Sequence, residues 1–173
     1  MVSLYVLLKT AIFSVFGPGT IAGLIPQQLA RRDQKSLPIY SSVARLVGCI
    51  SVISGVVLYF HTAWRFSDEG RGTPSPTDEP KSLVTGGIYS YMRNPMYIAV
   101  LLCIGGQALL YRSTYVLWYG IVLWLVSHTW IIEYEEPHLT EKYGKEYEQY
   151  CDRVPRWIPR ILLCNFTRLS RSD

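Results

Sequence analysis

Charged positions vanish from the chain in four long stretches. Thr10 to Ala30 holds 21 uncharged residues, Leu46 to Trp64 holds 19, Asn94 to Tyr111 holds 18 and Ser113 to Ile132 holds 20. A helix of about 20 residues rises roughly 30 Å, the depth of a bilayer's hydrocarbon core. The pattern therefore predicts an all-α fold, a polytopic membrane helical bundle with about four transmembrane helices. The first span, about 3–25, is interrupted by Gly17-Pro18-Gly19, where a proline frees a backbone carbonyl and predicts a break, and Pro26 is expected to end it. Gly19-x-x-x-Gly23 predicts close helix packing. The second span, about 39–60, closes on His61, Trp64 and Arg65, which read as an interfacial anchor. Lys9 and Arg45 lie near span ends, within snorkelling reach of the interface.

Residues 65–87 change in character. Their three prolines, four glycines and acidic residues predict an exposed connection. The third span (about 94–111) and the fourth (about 114–132) are joined only by residues around Arg112-Ser113, so they form a tight antiparallel hairpin. Beyond it, Leu139, Tyr143, Tyr147 and Tyr150 recur at helical spacing and predict a C-terminal amphipathic helix, stopped by Pro155 and Pro159. The expected organisation is one membrane-embedded domain: two spans in 1–64, a loop in 65–87, a motif-bearing half in 88–161 and a tail in 162–173.

Composition agrees with a lipid environment. The chain has 173 residues, of which 49% are hydrophobic and 17% charged, a balance that excludes a soluble globular domain and a disordered chain. The net charge of +4 points to membrane-surface electrostatics, and no nucleic-acid partner is expected. Eleven basic residues lie in the 65–93 segment and the tail, against four (Arg31, Arg32, Lys35, Arg112) on the other face, which predicts a cytoplasmic loop, tail and N-terminus. The basic tail, including Arg153 and Arg156, is expected to touch anionic head groups. Met1 to Leu8 lacks a basic n-region, so the first span reads as a retained helix and not a signal peptide. The four cysteines have no C-x-x-C spacing, so neither a metal site nor a disulfide framework is expected.

Two polar clusters stand at the ends of apolar runs: Gly86 to Tyr97 before the third span, and Glu133-Tyr134-Glu135-Glu136-Pro137-His138 after the fourth. In the first, Pro95 suits the first helical turn and Asn94 its N-cap. The hairpin brings both clusters to one membrane face by connectivity alone. Carboxylates, tyrosines, an asparagine and an arginine there suit a cationic small molecule bearing hydroxyl groups. The competing reading is a solvated row of carboxylates beside an interfacial aromatic belt.

Arg93-Asn94-Pro95-Met96-Tyr97, then Glu135-Glu136-Pro137-x-Leu139, Tyr143-Gly144-x-x-Tyr147-x-x-Tyr150 and Val154-Pro155-Arg156-x-Ile158-Pro159, resembles the integral-membrane methyltransferases, which include isoprenylcysteine carboxyl methyltransferases and phospholipid N-methyltransferases. The resemblance covers about 83–161. It implies S-adenosylmethionine as cofactor, membrane lipids and a lipophilic methyl acceptor as partners, and no metal. It also implies a cofactor pocket that includes Arg93, Asn94, Tyr97, Glu135 and Glu136, with Tyr89 added by position. Asn94 replaces the histidine usual in the isoprenylcysteine branch, and Ile131 stands where that branch tends to carry an arginine, yet Val-Pro-x-x-Ile-Pro looks like that same branch. The acceptor thus stays open among an isoprenylcysteine-like carboxylate, a phospholipid amine and a small thiol. A carboxylate or thiolate needs no general base, whereas an amine does, and the candidate bases are Glu133, His128 and His138. Two other classes compete: a nicotinamide-dependent sterol-type reductase, against which Glu-Glu-Pro and the short chain speak, and a non-catalytic membrane scaffold.

Overall fold

The protein is seen in a computed structural model that describes residues 4–33, 37, 41–69 and 82–159. Its helices are α1 (Leu4–Phe16), α2 (Ile25–Arg32), α3 (Ser42–Asp68), α4 (Pro95–Tyr111), α5 (Thr114–Trp130), α6 (Glu136–Tyr143) and α7 (Lys145–Arg153). Two π-turns, Thr20–Leu24 and Ile131–Glu135, join α1 to α2 and α5 to α6, and a 3₁₀ turn covers Gly87–Ser90. No strand occurs among the described residues. Most of the expected 65–87 loop and the tail beyond Pro159 lie outside the described residues.

Three helical stretches are long and apolar enough to cross a membrane: Leu8–Arg32, Ser42–Asp68 and Thr114–Tyr143. The remaining apolar run forms α4, whose 17 residues rise only about 25 Å. Four full-length spans are therefore not what the fold shows. The short helix is the innermost one, with Ala99, Ile104 and Ala108 at most 1% exposed. The outer face of α3, by contrast, presents Val43, Leu46, Ile50, Ile53, Val57 and Phe60, as suits a helix solvated by lipid.

Several sequence expectations need correction. Pro26 does not end the first span. Ile25 donates its N–H five residues back to Thr20, and the helix continues to Arg32. The carbonyls at this widened turn are met from outside, by Gln107 Nε2 on Ala22 O and by Tyr119 OH on Ile21 O at 3.0 Å. In hydrocarbon no water could do this, so the break is tolerable only because α4 and α5 supply donors. The Gly17-Pro18-Gly19 interruption itself appears as expected, with α1 ending at Phe16.

α3 runs eight residues beyond Phe60, to Asp68, because nothing in 61–68 breaks a helix and Arg65 pairs with Glu69 one turn on. Its start is capped by Ser41, whose Oγ accepts from Ala44 N at 3.0 Å. Close packing is built at other glycines than expected. A Cβ on Gly23 would meet nothing within 4 Å, and one on Gly19 would meet only Ser14 of the preceding turn. A Cβ on Gly55 would lie 2.6 Å from both Ala99 O and Cys103 Sγ, and one on Gly106 2.7 Å from Gly48 O. Those approaches seat α3 against α4.

The α4–α5 hairpin is as tight as the sequence implies, turning at Arg112 (φ 53°). On that face Asp33 Oδ2 accepts from Ser113 Oγ at 2.6 Å and Tyr115 N at 2.9 Å, so the end of α2 is tied to the start of α5. On the opposite face, Tyr59 OH donates to Ser14 Oγ at 2.8 Å and fastens α1 to α3. The expected single C-terminal helix is two, bent at Gly144 (φ 56°). Its apolar stripe is nevertheless real: Tyr147, Tyr150 and Val154 bury together against Leu83, Leu139, Tyr143 and Cys151, so the stripe packs on the protein and not on the membrane surface.

Gly55→Ala places a methyl against the α4 backbone, whereas Gly105→Ala meets open space. The first should cost about 1–3 kcal/mol through overpacking, and the second should be neutral or stabilising. Thermal unfolding of the two variants in the same detergent reads the difference; equal melting temperatures would refute the packing assigned to Gly55.

Candidate functional site

The second π-turn sets the geometry of the site. Glu136 N donates to Ile131 O, five residues back, and Pro137 follows, a residue with no N–H to offer a narrower ladder. Ile131 is turned fully inward at 1% exposed. Glu135 meets α4 within its first turn, where Tyr97 OH donates to Glu135 Oε2 at 2.8 Å. The neighbourhood that connectivity requires, between Asn-Pro-Met-Tyr and Glu-Glu-Pro, is thus a direct hydrogen bond.

Before α4 the chain makes the 3₁₀ turn at Gly87–Ser90. Gly87 has φ 59°, and a Cβ there would lie 2.9 Å from Arg65 Nε, so both backbone and space call for glycine. The turn delivers Tyr89 into the interior, edge-on to Phe66 at 5.5 Å, with its carbonyl accepting from Tyr150 OH at 2.7 Å. Tyr89 is 5% exposed, and its hydroxyl has no partner among the described residues. Burial, reinforced by Tyr150 and Glu135, raises the Tyr89 phenol well above its ordinary pKa. Burial raises Tyr147 and Tyr150 likewise. These hydroxyls therefore stay protonated donors through the physiological range.

Arg93 comes next. Its Nη1 contacts Cys151 Sγ at 2.7 Å and Glu136 Oε1 at 3.0 Å, while its Nε is buried and unpartnered among the described residues. Asn94 occupies the N-cap position of α4 and Pro95 the first turn, as expected, but the asparagine side chain makes no cap bond. The start of α4 is instead satisfied by an extended strap after α7, with Arg93 N donating to Pro155 O at 2.9 Å and Asn94 N to Arg156 O at 3.3 Å.

These elements enclose a cavity of about 480 Å³. Tyr89, Arg93, Asn94, Tyr97 and Glu135 form part of its wall, joined by His138, Tyr143, Tyr147 and Tyr150. Elsewhere the wall is mostly apolar, with Phe13, Ile21, Val100, Leu101 and Leu123, though Ser82, Ser127 and Lys142 also line it. Volume and mixed lining fit a small-molecule site with one polar and one lipophilic end. Among the described residues no cluster of metal-ligating side chains occurs.

Five of the six expected binding residues thus share one cavity, and Glu136 does not. Its oxygens are held by Arg156, with Nε to Oε1 at 2.7 Å and Nη2 to Oε2 at 2.8 Å, besides Arg93. Of the candidate bases, Glu133 is exposed and off the cavity wall. His128 is also off it, stacked on Trp124 and accepting from Trp157 Nε1 through Nδ1 at 3.1 Å. His138 lies on the wall, its ring parallel to Tyr134. Sequence reasoning missed Arg156, Trp157 and Cys151. Arg156 was expected on lipid head groups; instead the Glu136 hydrogen bonds raise its guanidinium pKa and fix it inside the fold. The signal available was Val-Pro-Arg-x-Ile-Pro, whose two prolines force extended backbone that must find partners.

The family model described as Phospholipid methyltransferase matches residues 43–146. The protein-S-isoprenylcysteine O-methyltransferase of Schizosaccharomyces pombe is 40% identical over 80 residues, 46% of this chain and 34% of the relative. Protein-S-isoprenylcysteine O-methyltransferase B of Arabidopsis thaliana is 34% identical over 85 residues, 49% of this chain and 43% of the relative. The Saccharomyces cerevisiae protein-S-isoprenylcysteine O-methyltransferase is 30% identical over 130 residues, 73% of this chain and 53% of the relative. The chain therefore spans between a third and about half the length of these curated relatives. No solved structure matches it significantly.

Tyr89→Phe removes a buried hydroxyl that has no partner, so the fold should be at least as stable without it. Tyr97→Phe strips Glu135 of its donor and should cost about 1–3 kcal/mol. Parallel thermal melts without added ligand decide: a loss for Tyr89→Phe as large as that for Tyr97→Phe contradicts the assignment of Tyr89 as an unsatisfied donor.

Proposed function

The chain belongs to the phospholipid methyltransferase family, and on that premise we propose that it is an S-adenosylmethionine-dependent enzyme that methylates a lipophilic acceptor at the cytoplasmic membrane face. The observation that carries this is the cavity's polar end. Tyr89, Arg93 and Asn94 line it beside Glu135, a carboxylate held by Tyr97.

Those residues fit the cofactor. Tyr89 and Arg93 line the cavity with a phenol and a guanidinium, donor groups that hydroxyl and carboxylate oxygens would receive. Glu135 offers acceptor capacity beyond its bond from Tyr97, which suits ribose hydroxyls or an ammonium group. The tyrosine rings of the wall stabilise a cation by their faces. When bound, S-adenosylmethionine supplies an electrophilic methyl group on a sulfonium. The protein's task is then alignment and exclusion of water, since in-line displacement demands geometry more than acid–base help.

For the acceptor we favour the carboxylate of an S-prenylated cysteine, the substrate class in the names of the relatives. The apolar part of the cavity, Phe13, Ile21, Val100, Leu101 and Leu123, suits a hydrocarbon chain reaching in from the bilayer. A carboxylate acceptor is already deprotonated at neutral pH. That suits a pocket in which Glu135 is engaged by Tyr97, while Glu136 and His128 are committed to Arg156 and Trp157. In this reading α4 also crosses the bilayer, its shortness met by local thinning or by the surrounding helices. The Arg65–Arg93 segment and the tail face the cytoplasm.

Calorimetric titration of the purified chain with S-adenosylhomocysteine tests the reading. Binding is expected, with Glu135→Ala at least about tenfold weaker, and a nicotinamide cofactor should not bind. Labelled-methyl transfer to an N-acetylated S-prenyl cysteine, and not to phosphatidylethanolamine vesicles, is the expected acceptor result. A chain that binds no S-adenosylhomocysteine is not this enzyme.

A further inference from the structure

The two adjacent carboxylates at the start of α6 are placed for different tasks. Glu135 is on the cavity wall, and Glu136 is behind it. Glu136 lies between two guanidinium groups, gripped in fork geometry by Arg156 at 2.7 and 2.8 Å and touched by Arg93 at 3.0 Å. Side-chain exposures of 27%, 19% and 12% for Arg156, Glu136 and Arg93 mean that these pairs are only partly screened by solvent. The strap that carries Arg156 also pairs its backbone with Arg93 and Asn94, and sets Trp157 edge-on to Tyr97 at 6.4 Å with its indole N–H on His128. Cys151 Sγ holds Arg93 Nη1 from the α7 side at 2.7 Å.

Among the described residues both side-chain contacts of Arg93 thus engage Nη1, while Arg93 itself lines the cavity. We propose that Glu136 and Arg156 form a clasp that positions Arg93 as the receptor for a carboxylate group of the bound ligand, Glu136 itself touching no ligand. This rests on the cofactor reading above and goes beyond it, since it divides the Glu-Glu pair into a ligand-facing member and a positioning member. In the fork, Arg156 fixes both oxygens of Glu136, and Glu136 in turn fixes the rotamer of Arg93. An arginine freed from that anchor would spread over several rotamers, few of which present the cavity with a donor.

The test compares two ligands that differ in the amino-acid moiety. S-adenosylhomocysteine carries a carboxylate; 5′-methylthioadenosine carries the same nucleoside without one. Both are titrated calorimetrically into the full chain and into Glu136→Gln, Arg156→Gln and the double variant, with thermal melts to show that each is folded. Each single variant should bind S-adenosylhomocysteine about tenfold more weakly, the double variant no worse than the weaker single, and 5′-methylthioadenosine nearly unchanged. Glu136→Gln is the sharpest arm. It raises the local positive charge, so a purely electrostatic role would tighten carboxylate binding, whereas loss of the clasp weakens it. Arg156→Lys keeps the charge without the fork and should fall between wild type and Arg156→Gln, which keeps the question answerable if the glutamine variant does not fold. Tighter or unchanged S-adenosylhomocysteine binding by Glu136→Gln overturns the clasp, as do additive losses in the double variant or equal losses for both ligands. Failure of the unmodified chain to bind either ligand overturns the cofactor reading and the clasp with it.

Discussion

Inside hydrocarbon every backbone carbonyl must find a donor within the protein, and two of the three prolines in the membrane-length stretches, Pro26 and Pro137, make that demand acute here. Leu24-Ile25-Pro26 and Glu135-Glu136-Pro137 share one solution. A five-residue π-turn ends two positions before each proline, and the helix runs on beyond it. At the first turn, Gln107 and Tyr119 provide the missing donors, each such bond worth about 1 kcal/mol. These are also the bonds that fix α1 and α2 against α4 and α5. The second turn lies where the span meets the polar layer, and the widened ladder there carries Glu135. One backbone device thus secures the bundle at one point and aims a functional carboxylate at another, consistent with the frequent use of π-bulges at sites of function.

The site's polarity follows from the same layout. The α4–α5 hairpin puts the start of one helix beside the end of the other, so residues at the edges of two uncharged runs become the polar end of a cavity whose remaining walls are mostly apolar. Charges there are not left to solvent. Glu135 takes a phenol, Glu136 takes two guanidinium groups, and Tyr89 OH and Arg93 Nε are buried without a partner among the described residues. A buried donor without a partner costs about 1–3 kcal/mol.

Much of this was legible in the sequence, because charge placement and connectivity are one-dimensional facts. The uncharged runs, the break at Gly17-Pro18-Gly19, the turn at Arg112-Ser113 and the meeting of Arg93 to Tyr97 with Glu135 all follow from spacing, and all are present. What did not follow depends on partners distant along the chain. Whether Pro26 ends a helix or bulges it is decided by Gln107, some eighty residues away. Which glycines mediate packing is decided by which helix faces them, and Gly55 and Gly106 face a neighbour where Gly19 and Gly23 do not. Arg156 looked like one more basic tail residue until the strap folded back over Glu136. The tyrosine stripe at 139–150 was visible, but the positive φ at Gly144 that folds it into α6 and α7 was not.

The shortness of α4 is what makes room for all of this. α3 has 27 residues, rising about 40 Å, against 17 and about 25 Å for α4. The two helices are in register through Gly48 with Gly106 and Gly55 with Ala99, and Tyr59 and Ala63 still pack beside Ala99 and Met96 at the start of α4. The last turns of α3 therefore extend past α4, and the segment before α4 is built on them. Ser82 bonds to the carbonyl of Glu69, Gly87 lies against Arg65, and Tyr89 lies against Phe66. A full-length α4 would fill that space with apolar helix. A short one leaves it to the 3₁₀ turn and to the strap after α7, which between them carry Tyr89, Arg93 and Arg156. The deficit in span length and the polar end of the cavity are one structural fact, and lengthening α4 would remove the site.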